Sequence, residues 1–406
     1  MKIYDNYFHD IMLLSPSIND SLNLSKYNYL KNKLENPLNK SFINDQKELH
    51  SKYLQKLIKK KHPTIYDKTL IYICNETLEY YKYNFDLIPI NHQDNIIYDI
   101  LEMANGDGLY IFSKKKDYTY FIEKIGIFYE IVESIISNMQ LGIKKKYTLP
   151  KILTIKLIDQ LKALLKTKSY KNEKIKYKLD FDFNKECEKI FIPPIKKLIE
   201  FLETDYLYHS RDTIGMLKLT NGFREYKYRV KCSTTLKDIK IETIHNYGLN
   251  EVERIYNLMN KIKNNMEFKG TLKEFNKYLS NRRDLKFKSK KDVIDNYKET
   301  LSTINKTIMK TQFHNNVKGK CTIIPVPDYN EDFSSEAYYM PGDIENKRHG
   351  KFYMNLRNVK ELNKIEVESL TLHEANPGHH YQITYVNEND NIPLFLKSYS
   401  NEAYQE

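Results

Sequence analysis

The chain has 406 residues, a mass of 48.6 kDa and a formal net charge of +12, so it is long enough to bury a large core in more than one structural region. Hydrophobic residues make up 41% and charged residues 29%, a balance that excludes a disordered polypeptide. The lysines are scattered along the whole sequence, which favours a compositional bias over a nucleic-acid-binding surface.

The cysteines and the N-terminus indicate a location. Four cysteines lie far apart without a C-x-x-C pair, which argues against a disulfide scaffold and favours a reducing compartment. The first residues lack the basic-then-apolar pattern of a signal peptide, and no apolar run of about 18 residues predicts a membrane span. We therefore expect a soluble protein of the cytoplasm or another intracellular compartment.

Apolar residues at helical spacing predict amphipathic helices through most of residues 1–200. The clearest stripe consists of Phe121, Ile125, Phe128, Ile131 and Ile135. Further along, Pro193-Pro194 suits the first turn of a helix, so a helix is predicted to begin there. We interpret residues 1–200 as an N-terminal helical region.

Residues 201–406 form the second predicted region. Alternation at Tyr226, Tyr228 and Val230 favours a short strand, and helical spacing returns after Gly248. Three further short strands are predicted at 321–327, 337–340 and 351–355, with turn residues between the last two. The fold class expected for the chain is mainly α with a small β-sheet (α+β), the sheet preceding a histidine-rich helix.

The candidate metal-binding and catalytic residues lie at the end of that helix. Its end reads Leu370-Thr371-Leu372-His373-Glu374-Ala375-Asn376-Pro377-Gly378-His379-His380. In the H-E-x-x-H form of a zinc site, two histidines one turn apart bind the metal and the glutamate acts as general base. Pro377 stands here where the second histidine of that form is expected, so the spacing departs from it.

Two histidines compete for the second ligand position. On a straight helix of about 100° per residue, His380 returns to the face of His373. A proline kinks or breaks a helix, however, and a bulge at Pro377-Gly378 places His379 there instead. We favour His379 and keep His380 as the alternative.

A zinc site of this kind needs a third protein ligand. Glu388, Glu402 and Glu406 are the downstream candidates, and spacing does not choose between them. The competing interpretation is that Asn376-Pro377-Gly378 simply ends a helix and leaves the histidines at the surface.

The signature of His373, Glu374, Pro377, Gly378, His379 and His380 resembles the H-E-x-x-P-G-H-H motif of the DUF885 family (domain of unknown function 885) of bacterial-type zinc metallopeptidases. Upstream segments resemble that family too, in the order 214–226, 234–254, 337–339 and 350–355. The resemblance covers about residues 200–406. It implies a gluzincin-like metallopeptidase fold with a third metal ligand in a downstream E-G-W-A-L-Y motif, whose glutamate corresponds to Glu406.

The sequence stops at that glutamate, so the resemblance leads us to expect that the C-terminal part of the fold is missing. A separately encoded C-terminal fragment is then a possible partner. The function implied is hydrolysis of a peptide or small amide by water on one zinc ion, with Glu374 as general base. The alternatives are an inactive relative that retains the fold and a basic nucleic-acid-binding protein.

Substrate contacts are assigned more weakly. The strand at Tyr353-Met354-Asn355 is expected to pair with an extended peptide by edge addition. Tyr353 and Asn355 are therefore candidate substrate residues. Tyr338, Tyr339 and Tyr381 are candidate donors to an oxyanion, in a chain with 34 tyrosines.

Overall fold

The computed structural model describes residues 2–236, 238–315, 317–327, 331–332, 334–345, 348–401 and 406. It is mainly helical with one small sheet, which confirms the expected α+β class. The chain divides into two compact units. Unit 1 contains 1–226, 343–348 and 390–400, and unit 2 contains 227–342, 349–389 and 401–406. No helix within the described ranges is both long and apolar enough to cross a membrane.

Unit 1 is built from helices. Its α-helices are α1 (Lys2–Leu14), α2 (Ile18–Leu22), α3 (Lys40–Leu57), α4 (Ile65–Tyr80), α5 (Ile96–Asn105), α6 (Lys115–Lys124), α7 (Phe128–Lys144), α8 (Lys151–Thr167), α9 (Phe183–Phe201), α10 (Leu207–His209) and, late in the chain, α18 (Leu394–Lys397). One hydrophobic core lies among α5 to α9, and it includes the stripe predicted around Phe128. A second core joins α1, α3 and α4 to Phe395 of α18.

The predicted helix start at Pro193-Pro194 is wrong. Both prolines lie inside α9, which begins after Asp182, whose side chain accepts a hydrogen bond from the Lys185 amide. The buried face of α9 continues through the prolines, with Phe183, Cys187, Phe191, Ile195 and Leu198 all buried. Burial of this continuous face therefore outweighs the local preference of proline for a first turn.

Helix α11 (Gly222–Thr234) corrects a second expectation. Tyr226, Tyr228 and Val230 alternate in the sequence as strand residues do, but they lie on this helix. Glu225 falls in its first turn, where a negative charge favours the helix dipole. Three alternating residues are too short a pattern to specify a strand.

Unit 2 combines helices with the sheet. Its helices are α12 (Ile241–Asn265), α13 (Leu272–Asn281), α14 (Lys290–Lys306), α15 (Ile308–Gln312), α16 (Val367–Glu374) and α17 (His379–Glu388). The strands are β1 (Cys321–Pro325), β2 (Ala337–Met340) and β3 (Gly350–Met354), in the order β1-β3-β2. β3 pairs in parallel with β1 and antiparallel with β2, with Ile323 and Tyr339 both opposite Phe352. The three predicted strands are thus confirmed.

The core of unit 2 positions α16. Phe352 and Met354 of β3 are fully buried together with Val293 of α14, and Val367 at the start of α16 packs into the same cluster. Ala375, directly after α16, is buried there as well. The helix that carries His373 and Glu374 is therefore fixed at both ends by apolar contacts.

Candidate metal centre

Helix α16 presents two different faces. Val367, Thr371 and Glu374 are buried, while the His373 side chain is 44% exposed. The helix is preceded by a 3-10 turn at Lys364–Glu366, and the Asn363 side chain caps that turn by accepting a hydrogen bond from the Ile365 amide. This arrangement places Glu374 inside the unit and His373 at its surface.

The helix stops at Glu374, and α17 begins at His379. Between them the Asn376-Pro377 peptide bond is cis, and the chain turns so tightly that a Cβ on Gly378 would lie 1.8 Å from the His373 carbonyl oxygen. Only glycine allows this approach of two backbone segments. Residues 375–378 are therefore a helix break, and the straight-helix geometry that nominated His380 does not apply.

The break brings three side chains together. The ligand atoms of His373, His379 and Glu406 all lie within 4.8 Å of one another. The Glu406 carboxylate oxygens are 3.1 Å from His373 Nε2 and 3.3 Å from His379 Nε2. The two imidazole rings meet edge to face, with their centroids 4.6 Å apart.

This set has the chemistry and spacing of a zinc site. Zinc binds imidazole nitrogen and carboxylate oxygen at about 2.0–2.2 Å, so two ligand atoms of a tetrahedral centre stand about 3.4 Å apart. The two nitrogen–oxygen separations are close to that value. The same distances suit hydrogen bonds between the imidazoles and the carboxylate when no metal is bound. The neighbouring glutamate distinguishes the two cases.

Glu374 is that neighbour. Its side chain is only 6% exposed, and its Oε2 atom has no hydrogen-bond partner among the residues that the structure describes. Burial raises the pKa of Glu374, whereas the adjacent His373 lowers it and the Glu406 carboxylate raises it further. A buried carboxylate oxygen without a partner is costly unless it serves a ligand or a reaction.

His379 is the less exposed of the two clustered histidines, with 17% of its side chain accessible. Burial lowers the pKa of His379, and the Glu406 carboxylate opposes that shift by favouring the charged form. Because burial favours the neutral imidazole, a ring nitrogen of His379 keeps the lone pair that metal binding requires.

His380, the alternative ligand, lies elsewhere. It is 2% exposed, its Nδ1 is 2.8 Å from the Tyr339 hydroxyl and its Nε2 is 3.2 Å from the Gly319 carbonyl oxygen. Burial lowers the pKa of His380 to about 4. Since a carbonyl only accepts hydrogen bonds, Nε2 carries the proton of this neutral ring and Nδ1 accepts the hydrogen bond that Tyr339 donates. His380 thus links α17 to β2.

Glu388, another glutamate proposed as third ligand, is not part of the cluster. The Glu388 carboxylate accepts hydrogen bonds from the backbone amides of Lys318 and Gly319, at 2.7–3.0 Å. It therefore holds the segment that leads into β1. Glu402 lies outside the described residues. Within the ranges that the structure covers, Glu406 alone of the three meets the histidines.

The weaker substrate assignments change with the topology. β3 is the central strand of the sheet, so Tyr353 cannot pair with a peptide by edge addition, and that expectation is wrong. The Tyr353 side chain is buried and stacks on Tyr338, with the ring centroids 4.7 Å apart. The Asn355 amide donates to the carbonyl of Glu331, and the Tyr381 hydroxyl donates to that of Asn315.

One supporting residue was missed by sequence reasoning. Asn305, near the end of α14, accepts a hydrogen bond from the Asn376 side chain at 2.7 Å. It therefore holds the turn that separates the two clustered histidines. Its contact spans 71 positions of sequence, and no local pattern marks it.

Comparisons with known proteins agree with the fold. The model of the family described as "Bacterial protein of unknown function (DUF885)" matches residues 20–406. A crystal structure titled "the putative lipoprotein from Colwellia psychrerythraea" superposes with a TM-score of 0.84 at 18% identity, covering 100% of this chain and 75% of that one. At that identity the likeness concerns the fold alone. None of the curated proteins matches the sequence.

Proposed function

Because this chain belongs to the DUF885 family, whose description assigns no activity, we propose from the geometry of its own site that it is a zinc-dependent peptidase. The observation that carries the proposal is the convergence of His373, His379 and Glu406 beside the buried Glu374. Two imidazoles and one carboxylate are the protein ligands of a known class of catalytic zinc site, which leaves one position open. The gluzincin-like assignment is part of the same proposal.

The donor set fits one zinc ion. His373 and His379 would hold it through the Nε2 atoms that face Glu406, and Glu406 through a carboxylate oxygen. When bound, zinc lowers the pKa of a water molecule towards neutrality and polarises a substrate carbonyl. The partnerless Glu374 oxygen supports this assignment, because a general base must keep a lone pair free for the proton that it takes.

Glu374 then has a defined role. It accepts a proton from the attacking water and delivers it to the leaving amine. Burial raises the pKa of Glu374, which makes its carboxylate a stronger base. The His373 imidazole opposes that rise, because a positive charge beside the carboxyl favours its ionised form.

The substrate class proposed is a peptide or a small amide. β2 lies at an edge of the sheet, so among the described strands it is a better candidate than the central β3 for pairing with an extended peptide. An intracellular location and the absence of a membrane association remain predictions.

The test compares Glu374→Gln with Glu368→Gln, an exposed glutamate on the same helix. We expect the 406-residue protein to contain one zinc per chain by elemental analysis and to cleave a fluorogenic peptide library. Glu374→Gln should keep the zinc and lose at least about 10²-fold in kcat/KM, while Glu368→Gln should match the parent.

Two outcomes would change the assignment. A fully active Glu374→Gln protein removes Glu374 as the base. A folded parent that neither retains nor takes up zinc supports the alternative of an inactive relative. Removal of zinc with a chelator should abolish cleavage, and added zinc should restore it.

A further inference from the structure

One stretch of unit 2 contacts the chain on both sides of His379. It comprises residues 305–315 and 317–319, here called the bracing segment, and it runs from the end of α14 through α15 to the residues before β1. The two elements that it joins are both anchored in the core of unit 2, through Leu301 of α14 and Ile323 of β1. The bracing segment is therefore a support whose two ends are fixed.

The first contact of the bracing segment lies on the N-terminal side of His379. The Asn376 side chain, in a residue that is 9% exposed, donates a hydrogen bond of 2.7 Å to the Asn305 side-chain oxygen. Removal of that oxygen would take a hydrogen-bond acceptor from the buried amide nitrogen of Asn376, and a buried donor without an acceptor is costly. Asn305 therefore fixes the position of the helix break.

The other contacts lie on the C-terminal side of His379. The Tyr381 hydroxyl donates a hydrogen bond of 2.8 Å to the Asn315 carbonyl oxygen, and the Tyr381 ring packs edge to face on Phe313 with the centroids 5.1 Å apart. His380 Nε2 lies 3.2 Å from the Gly319 carbonyl oxygen. Both residues that follow His379 are thus held by the bracing segment.

The His379 imidazole itself meets the other members of the candidate metal centre, His373 and Glu406. Its orientation depends on the backbone that carries it, and the contacts at Asn376, His380 and Tyr381 hold that backbone on both sides. Groups that orient a metal ligand without binding the metal matter for affinity, and their loss typically costs about 10- to 100-fold.

We propose that the bracing segment positions His379 for metal binding, with Asn305 and Tyr381 as positioning residues. This inference rests on the proposed function, because it concerns the same zinc site. It also gives Tyr381 a role other than that of an oxyanion donor, since its hydroxyl proton is used in the hydrogen bond to Asn315. The two roles differ in what they change: an oxyanion donor affects kcat, whereas a positioning residue affects zinc affinity.

Two measurements on the purified protein test the role of Asn305. Zinc affinity is measured by competition with a chromophoric chelator. Amide hydrogen exchange is measured on the zinc-free protein by mass spectrometry of the fragment with residues 379–382, in which the Tyr381 and Gln382 amides donate to carbonyls across the break. Asn305→Ala should lower zinc affinity by about 10- to 100-fold and speed the exchange of this fragment.

Two control variants separate positioning from a general effect on α14. Asn305→Asp keeps an oxygen that accepts the Asn376 hydrogen bond, so it should match the parent in both measurements. Lys306→Ala changes the exposed neighbour on the same helix and should also match the parent.

Tyr381→Phe tests the other side of His379. It removes the hydroxyl that Asn315 accepts and keeps the ring on Phe313, so zinc affinity should fall at the lower end of the same range. The kcat at saturating zinc should equal that of the parent. A lowered kcat with unchanged zinc affinity would instead make Tyr381 an oxyanion donor and overturn its positioning role.

The outcomes for Asn305→Ala are distinct. Parent-like exchange of residues 379–382 overturns the bracing contact. Faster exchange with unchanged zinc affinity overturns the positioning role. A parent protein that binds no zinc overturns the proposed function, and the positioning role with it; this failure shows in the parent alone, before any variant is compared.

Discussion

The tight turn between α16 and α17 leads to a specific prediction about Gly378. A Cβ at this position would lie 1.8 Å from the His373 carbonyl oxygen and 2.4 Å from that of Leu372, whereas real Cβ contacts are essentially never shorter than 3.0 Å. Gly378→Ala must therefore move the two backbone segments apart by at least about 1.2 Å. Neither contact is with a flexible side chain, so rotamer changes cannot relieve the clash.

The expected effect has two parts. Forcing a methyl group into a packed backbone contact costs about 1–3 kcal/mol of folding free energy. The same displacement separates His379 from His373, and disturbing the groups that orient metal ligands costs about 10- to 100-fold in metal affinity. We therefore expect zinc affinity to fall by about 10²-fold, which corresponds to about 2.7 kcal/mol.

Zinc affinity is measured by competition with a chromophoric chelator, and stability by urea unfolding of the zinc-free protein. Gly126→Ala is the matched control, because a Cβ there meets no atom within 4 Å. It should change neither quantity beyond the small gain that alanine gives in helical backbone. A Gly378→Ala protein with the zinc affinity and stability of the parent would falsify the described path of the turn.

Two predictions concern the stability of unit 1. Lys124→Met should lower the free energy of unfolding, measured by urea titration, by about 3–5 kcal/mol. The reason is that the buried Asp20 carboxylate, 2.8 Å from Lys124 Nζ, loses its counter-charge. Adding Asp20→Asn should recover part of the loss. Burial alone would raise the pKa of Asp67, but hydrogen bonds from Lys60 and Thr64 outweigh it and lower that pKa below its ordinary 3.8. The contribution of Asp67 to the free energy of unfolding is therefore fully present above about pH 3.8, and it is lost as the pH falls through the lowered pKa. Asp67→Asn should consequently destabilise the protein at pH 7 and make its stability less dependent on pH in the acid range.

The helices and strands that local periodicity specifies could be predicted from the sequence. The Phe128 stripe of unit 1 lies in the core because burial follows the helical repeat over many residues. The strands of unit 2 were recognisable from prolines and turn residues at their ends. The Pro193-Pro194 pair misled because burial of the longer face of α9 outweighs this local signal. The alternation at Tyr226 misled because three residues are too short a pattern to specify a strand.

The site shows where local reasoning stops. Sequence reasoning identified Pro377-Gly378 as a break, but the break alone left His379 and His380 as alternatives. The choice depends on contacts remote in sequence: Asn305 holds Asn376 at the turn, and Tyr339 and the Gly319 carbonyl take both nitrogens of His380. None of these three contacts can be inferred from the spacing of the histidines.

Gly350 makes room for the hydrogen bond between Tyr339 and His380. A Cβ on Gly350 would lie 2.2 Å from the Tyr339 hydroxyl and 2.9 Å from His380 Nδ1, so β3 leaves room for that hydrogen bond only because it begins with glycine. A ring with both nitrogens engaged cannot also bind a metal ion. The two adjacent histidines therefore have different contacts. His380 anchors the first turn of α17 to the sheet, and His379 is thereby directed towards His373.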